Sequence, residues 1–222
     1  MSATIRIEND VAIITMDDGK ANAINPPMLE ALNACLDEAQ NEAKAVVLAG
    51  REGRFSAGFD LKLMMGSEPE LVRELVKGGG RLALRLYSFP MPVVAACTGH
   101  GIAMGAFILL GCDTRFGASG AFKIGMNETQ INMVLPHFAI ELPKARLSPR
   151  HITEAAINGT LFAPEEAVKV GFLDMVTTPE ALMDAAISEA ERLKPFTGAA
   201  YAQNKLLIRK HTIESIAPTV AS

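Results

Sequence analysis

The feature that most constrains this chain is a pair of matched turns rich in small residues. The first is Phe55-Ser56-Ala57-Gly58-Phe59-Asp60-Leu61 and the second is Thr98-Gly99-His100-Gly101-Ile102-Ala103-Met104-Gly105-Ala106. Each follows an apolar run that reads as a buried strand, residues 45–49 and 93–97, and each leads into a helical segment. Such a chain must alternate strands and helices, and two strand-to-helix turns can aim free backbone N–H groups at one point. That arrangement makes an oxyanion hole. Taken singly, each turn also fits an ordinary packing turn in an α/β fold.

The rest of the chain agrees with an α/β class of stacked sheets flanked by helices. Residues 4–8 and 11–16 read as a hairpin around Asn9-Asp10. Pro26 and Pro27 open a helix whose apolar residues, Met28, Leu29, Leu32, Cys35 and Leu36, keep helical spacing. A helical region over 68–86 is interrupted by Gly78-Gly79-Gly80, which should weaken or bend it. Residues 104–110 form an almost wholly apolar helix that belongs in a core. One or two strands follow within 114–124, and the pattern is helical from Pro149 onward. Pro164 starts one helix there and Gly171 stops it, while 201–211 reads as a single amphipathic helix.

Composition narrows the partners. The formal charge of −4 and the lack of a basic run argue against nucleic acid. No apolar stretch reaches the roughly 20 residues that cross a bilayer, and the first residues lack a signal-peptide core, so the expectation is a cytoplasmic protein. Cys35, Cys97 and Cys112 lack C-x-x-C spacing and read as reduced thiols rather than a zinc site or disulfide framework.

Read together, three motifs carry a resemblance. They are Phe-x-Ala-Gly-x-Asp-Leu from Phe55, Pro-x-x-Ala-x-x-x-Gly from Pro92 with a turn leading on to Cys112-Asp113, and Asn127-Glu128-Thr129-Gln130. Pro136, Pro164-Glu165-Glu166-Ala167 and Gly171-Phe172-Leu173-Asp174 agree with it. The chain resembles the crotonase (enoyl-CoA hydratase/isomerase) superfamily over about residues 11–176. Asn-Glu-Thr-Gln is similar to the mitochondrial Δ3,Δ2-enoyl-CoA isomerases in particular. The resemblance implies a crotonase-like fold of ββα-type repeats, with a core domain over 1–176. A shortened C-terminal helical segment, 177–222, would serve in trimerisation and in covering the pocket.

It also implies roles. The two oxyanion N–H groups fall on Phe59 and Met104, where they would hold a thioester enolate. Of the family's two hydratase glutamates, the first position is occupied by Phe107 and the second is best matched by Glu128. Spacing back from Pro136 points to Thr129 instead, but only a carboxylate can take and return a proton there. Lys20, Ala21, Ala23, Ser56, Ala57 and Gly58 correspond to the coenzyme A pocket, and Asp60, Leu61 and Phe107 adjoin the substrate. Asp60 also reads as a helix cap, and His100 as a partner in a local backbone hydrogen bond.

Met64, Met65, Met104, Met126 and Met133 either line a flexible acyl pocket or pack the core. Lys144, Arg146 and Arg150 are either solvated charges or contacts to CoA phosphates. Leu182, Ile187, Leu193, Leu206 and Leu207 supply an apolar face for assembly into a homotrimer or hexamer.

One acid rather than two selects the chemistry. A 1,3-proton shift needs one group that takes and returns a proton, whereas hydration usually divides the work between two carboxylates. The expected reaction is Δ3-to-Δ2 isomerisation of an enoyl-CoA thioester. Coenzyme A is then part of the substrate, with no metal and no other cofactor. A hydratase or hydrolase recruiting Glu68 or Glu70 is the rival within enzymes, and an inactive acyl-CoA-binding protein is the rival outside them.

Overall fold

Asn9 and Asp10 both take positive φ, 51° and 62°, which is the turn geometry that matches the twist of paired strands. They join β1 (Ala3–Glu8) and β2 (Val11–Met16) into an antiparallel hairpin. The computed structural model describes residues 2–221. Further strands follow as β3 (Ala45–Gly50), β4 (Gly53–Ser56), β5 (Val93–Cys97), β6 (Gly99–Ile102), β7 (Thr114–Ala118), β8 (Ile124–Gly125) and β9 (Met175–Thr177). A six-stranded sheet runs β1-β2-β3-β5-β7-β9, and a three-stranded sheet runs β4-β6-β8. The chain steps from the large sheet to the small one at β3–β4, β5–β6 and β7–β8, then enters helix or loop. These repeated steps bring the two turns side by side.

The helices are α1 (Pro26–Glu42), α2 (Leu61–Gly66), α3 (Pro69–Tyr87), α4 (Met104–Gly111), α5 (Phe138–Arg146), α6 (Pro164–Val170), α7 (Pro179–Leu193), α8 (Ala199–Ile208) and α9 (Lys210–Val220). β3 is buried along its whole length, and its side chains divide with a period of two. Val46 and Leu48 join the main core with Leu32 of α1, Leu82 of α3 and Leu109 of α4. Ala45, Val47 and Ala49 face the second core, where Leu182, Ala186 and Ala190 of α7 cover the sheet. Every residue of α4 is buried, as its apolar composition requires. Among the described residues no helix is long and apolar enough to cross a membrane.

Three expectations need correction. Gly78-Gly79-Gly80 neither breaks nor ends α3, which continues from Pro69 to Tyr87. Glycine in a helix interior costs about 1 kcal/mol relative to alanine, and here an added Cβ would meet the Phe59 ring at Gly79 and the Phe138 ring at Gly80, but only the flexible ends of Leu29 and Arg81 at Gly78. The helix over 201–211 is two helices that meet at Arg209 (φ −95°, ψ 3°). The Arg209 guanidinium is held by Tyr87 O at 2.6 Å and by Asp113 at 2.9 Å, which fixes the corner.

The apolar face expected between subunits is largely used within one. Leu182 is buried against the sheet, and Ile187 and Leu193 pack on the same cluster. Leu206 and Leu207 stay exposed on α8.

Candidate active site

The first turn is anchored to the loop before α1 by a ladder of backbone bonds. Ala57 N donates to Ala21 O (3.0 Å), Ile24 N to Gly58 O (2.8 Å) and Asp60 N to Ile24 O (3.1 Å). The Ser56 hydroxyl donates to Asn22 O at 2.8 Å, so it holds this loop rather than facing a ligand. Asn22 is fully buried at φ 51°. Its amide donates to Met16 O (2.9 Å), Arg54 O (3.1 Å) and Phe55 O (3.1 Å), pinning the loop to both sheets. Asp60 caps α2 as expected, accepting from Lys62 N and Leu63 N.

The two turns touch. Gly58 has φ 95°, and a Cβ added there would lie 2.8 Å from Ala103 Cβ and 3.3 Å from Met104 N. Ala103 takes φ 53° and ψ −120°, a conformation that costs a non-glycine residue about 1–3 kcal/mol. Met104 follows as the first residue of α4, where backbone N–H groups have no intrahelical acceptor. Among the described residues neither Phe59 N–H nor Met104 N–H donates to a backbone acceptor outside regular elements. Two unpaired N–H groups on touching turns, one at a helix N-terminus, suit a developing negative charge.

Beside the turns lies a cavity of about 520 Å³. Ala57, Phe59, Leu61 and Ala103 line it from the turns, Phe107 from α4, Val76 from α3 and Phe138 from α5. Among the described residues Glu128 is its one titratable side chain, with Asn127 beside it. The residue is 8 % exposed, and Oε2 has no hydrogen-bond partner among the described residues. Burial pushes its carboxyl above the ordinary carboxylate value. Its backbone is fixed by Ile131 N (3.1 Å) and Met133 N (2.9 Å), both donating to Glu128 O. The backbone is thus held while Oε2 is left without a partner among the described residues.

Thr129 begins the short 3₁₀ turn after Glu128 and does not line the cavity. Of the methionines, Met64 and Met133 line the cavity, Met104 and Met126 are core, and Met65 is exposed. Glu68 and Glu70 lie at the exposed start of α3, where Glu70 pairs with Arg73 at 2.6 Å, and neither lines the cavity. His100 accepts from Lys123 N at 3.1 Å through Nδ1. Lys20 is exposed, and its carbonyl accepts from Arg51 at 2.6 Å. A larger groove of about 710 Å³ runs between α1, α2 and α3. Its Arg81 and Arg85 are bound to Val220 O and to Asn33 and Asp37, and neither turn lines it.

Sequence reasoning assigned no role to Asn127 or Phe138, both of which line the cavity. Asn127 sits beside the singled-out glutamate, and its position there was the available signal. Phe138 stacks edge-on against Phe107 with ring centroids 5.5 Å apart, a pairing that only the fold creates.

Comparison with known proteins places the chain in a family. Residues 6–219 match the family model described as enoyl-CoA hydratase/isomerase. Human mitochondrial enoyl-CoA delta isomerase 1 is 30% identical over 206 residues, 91% of this chain and 68% of the relative. A probable enoyl-CoA hydratase of Bacillus subtilis is 28% identical over 188 residues, 80% of this chain and 70% of the relative. The crystal structure of an enoyl-CoA hydratase/isomerase family protein from Pseudomonas syringae superposes with TM-score 0.95 at 40% identity, covering 99% of this chain and 95% of that one. Human mitochondrial delta3-delta2-enoyl-CoA isomerase superposes with TM-score 0.91 at 27% identity, covering 99% and 91%. The family-model match over nearly the whole chain, together with these relatives, shows that the chain belongs to the enoyl-CoA hydratase/isomerase family of enzymes.

Proposed function

We propose that this protein converts a 3-enoyl-CoA thioester to its 2-enoyl isomer. The observation that carries this reading is that, among the described residues, Glu128 is the one titratable side chain lining the cavity. Its carboxylate takes a proton from C2, and the electron pair moves onto the thioester oxygen. The N–H groups of Phe59 and Met104 hold that oxygen, since donors placed where charge develops stabilise the transition state. Glu128 then returns the proton at C4, leaving the double bond between C2 and C3. Coenzyme A enters as part of the substrate, and no other cofactor takes part. The Lys20–Ala23 loop and the Ser56–Gly58 turn, joined by the bonds above, would receive its nucleotide end.

Phe107 supports isomerisation over hydration. The ring is buried, lines the cavity and packs on Phe138, so at this position an attacking water finds no base. A hydratase would need a second acid, and Glu68 and Glu70 are exposed outside the cavity. The test is the ratio of two kcat/KM values on one chain length, for 3-to-2 isomerisation and for hydration of the 2-enoyl product. Isomerisation should dominate. A ratio favouring hydration overturns the reading, and absence of proton exchange at C2 points to a binding protein.

The reading includes assembly into a trimer or hexamer. On α8, Leu206, Leu207 and Ile208 are 44%, 68% and 85% exposed, with Phe196 exposed nearby in the chain. An apolar surface of this kind marks an interface, and a stable one buries above about 1,200 Å². Sedimentation at micromolar concentration should show a species larger than monomer, and Leu207→Glu should shift it toward monomer. Monomer alone in the unaltered protein contradicts the expectation.

A further inference from the structure

The three glycines in α3 face three different neighbours. A Cβ on Gly78 would meet only the flexible ends of Leu29, at 2.9 Å from Cδ1, and of Arg81, at 3.8 Å. One on Gly80 would meet Val220 Cγ1 at 2.6 Å and Phe138 Cδ1 at 2.7 Å. One on Gly79 would meet Phe59 Cζ at 2.5 Å, Phe59 Cε1 at 2.7 Å and Met104 Sδ at 3.0 Å. Gly79 is therefore the place where the side chains of both donor residues converge. Those residues come from separate turns on separate strands, and the helix that meets both is α3.

We propose that Gly79 is a positioning residue for the oxyanion site: its bare Cα seats the Phe59 ring and the Met104 thioether together, and so sets the spacing of their N–H groups. This rests on the reading that those groups hold the thioester oxygen. A side chain at Gly79 has no free volume within buried α3, so it can be housed only by moving the Phe59 ring toward the cavity that it lines or by moving the Met104 thioether. The added methyl must push the ring or the thioether by several tenths of an ångström. Displacement of a donor on that scale is felt in the transition state, where a shift of about 1 Å costs on the order of 10²-fold.

The experiment compares Gly79→Ala with Gly78→Ala, which makes the same change in helix propensity one position earlier. Three quantities are read: melting temperature, kcat and KM for the isomerisation, and the red shift in absorbance of bound 2,4-hexadienoyl-CoA, which reports polarisation of the thioester carbonyl. Gly79→Ala should bind the thioester, lose most of the red shift and lower kcat by about 10- to 100-fold, with a much smaller change in KM. Gly78→Ala should keep both the red shift and kcat. Adding Phe59→Leu to Gly79→Ala removes the two ring atoms that the new methyl meets, and should restore part of the red shift and of kcat.

A folded Gly79→Ala protein with unaltered red shift and kcat overturns the proposal, as does an equal loss in Gly78→Ala. If Gly79→Ala does not fold, Phe59→Trp presses on the same seat from the other side. An unaltered red shift in that variant overturns the proposal too. Absence of any red shift in the unaltered protein rejects the paired donors themselves, which separates that failure from a failure of Gly79.

Discussion

Glu128→Gln is expected to lower kcat by about 10²–10⁴-fold, the range for a general acid–base group, and to raise the melting temperature at neutral pH. Both effects follow from one environment. The carboxyl is buried among apolar walls and Oε2 has no partner among the described residues, so burial holds its folded-state pKa above the ordinary carboxylate value. Below the unfolded-state pKa the group is protonated in both states and costs nothing. As pH rises through the raised folded-state value, the native protein must carry a buried charge that the unfolded chain carries in water, and stability falls.

Glutamine keeps the shape and never ionises. The stability gain of the variant should therefore grow as pH rises from the unfolded-state pKa to the raised folded-state value, hold level above it, and vanish in acid. The same ionisation turns the catalyst on, so kcat/KM of the unaltered enzyme should rise with pH through a midpoint above the usual carboxylate range. Thermal melts across pH, set beside the rate profile, check both halves. A folded glutamine variant with near-normal turnover removes Glu128 from the mechanism. One that melts lower at neutral pH contradicts the buried-charge account.

The elements set by local pattern were legible in the sequence. The hairpin, the buried strands before the turns, the apolar α4 and the proline-opened helices all follow from residue spacing, and α1, α3 and the core strands lie within a residue or two of expectation. The touching turns were legible as well, because small residues at matched positions after two strands admit few packings. What escaped depends on contacts distant in sequence. The glycine triplet looked like a weak point, yet Leu29, Phe59 and Phe138 approach it from three other elements.

The break at Arg209 has no glycine or proline to announce it. It is set by buried charges, with Lys205 Nζ 2.7 Å and Arg209 Nη1 2.9 Å from the carboxylate oxygens of Asp113. The amphipathic pattern of α7 was correct, but a period cannot say whether an apolar face meets a sheet of its own subunit or a neighbouring one. Asn127 and Phe138 were missed for a related reason: a cavity wall is assembled from separate segments, and no segment alone marks its side facing the substrate.

Met104→Pro should reduce turnover by at least about 10²–10³-fold, the cost of removing one oxyanion donor. Met104 is the first residue of α4, the helical position where proline is best tolerated because its missing N–H has no intrahelical role. The substitution deletes the proposed donor without removing an intrahelical N–H bond, although proline also restricts Ala103, whose carbonyl accepts from Ala106 N and Phe107 N. It also removes a fully buried side chain, and loss of a buried methionine can cost about 2–5 kcal/mol of stability. Met104→Ala supplies the comparison, since it loses most of the same packing and retains the N–H. The rate gap between the two variants, measured on folded protein that still binds CoA, isolates the donor from the cavity. If proline turns over as fast as alanine, the charge is held elsewhere, and the neighbouring N–H of Gly105 in the same first helical turn becomes the group to delete next. If proline is silent and alanine is active, the second turn serves catalysis through its backbone. A bulky methionine can then stand at a catalytic position, because the chemistry needs its amide and only the packing needs its side chain.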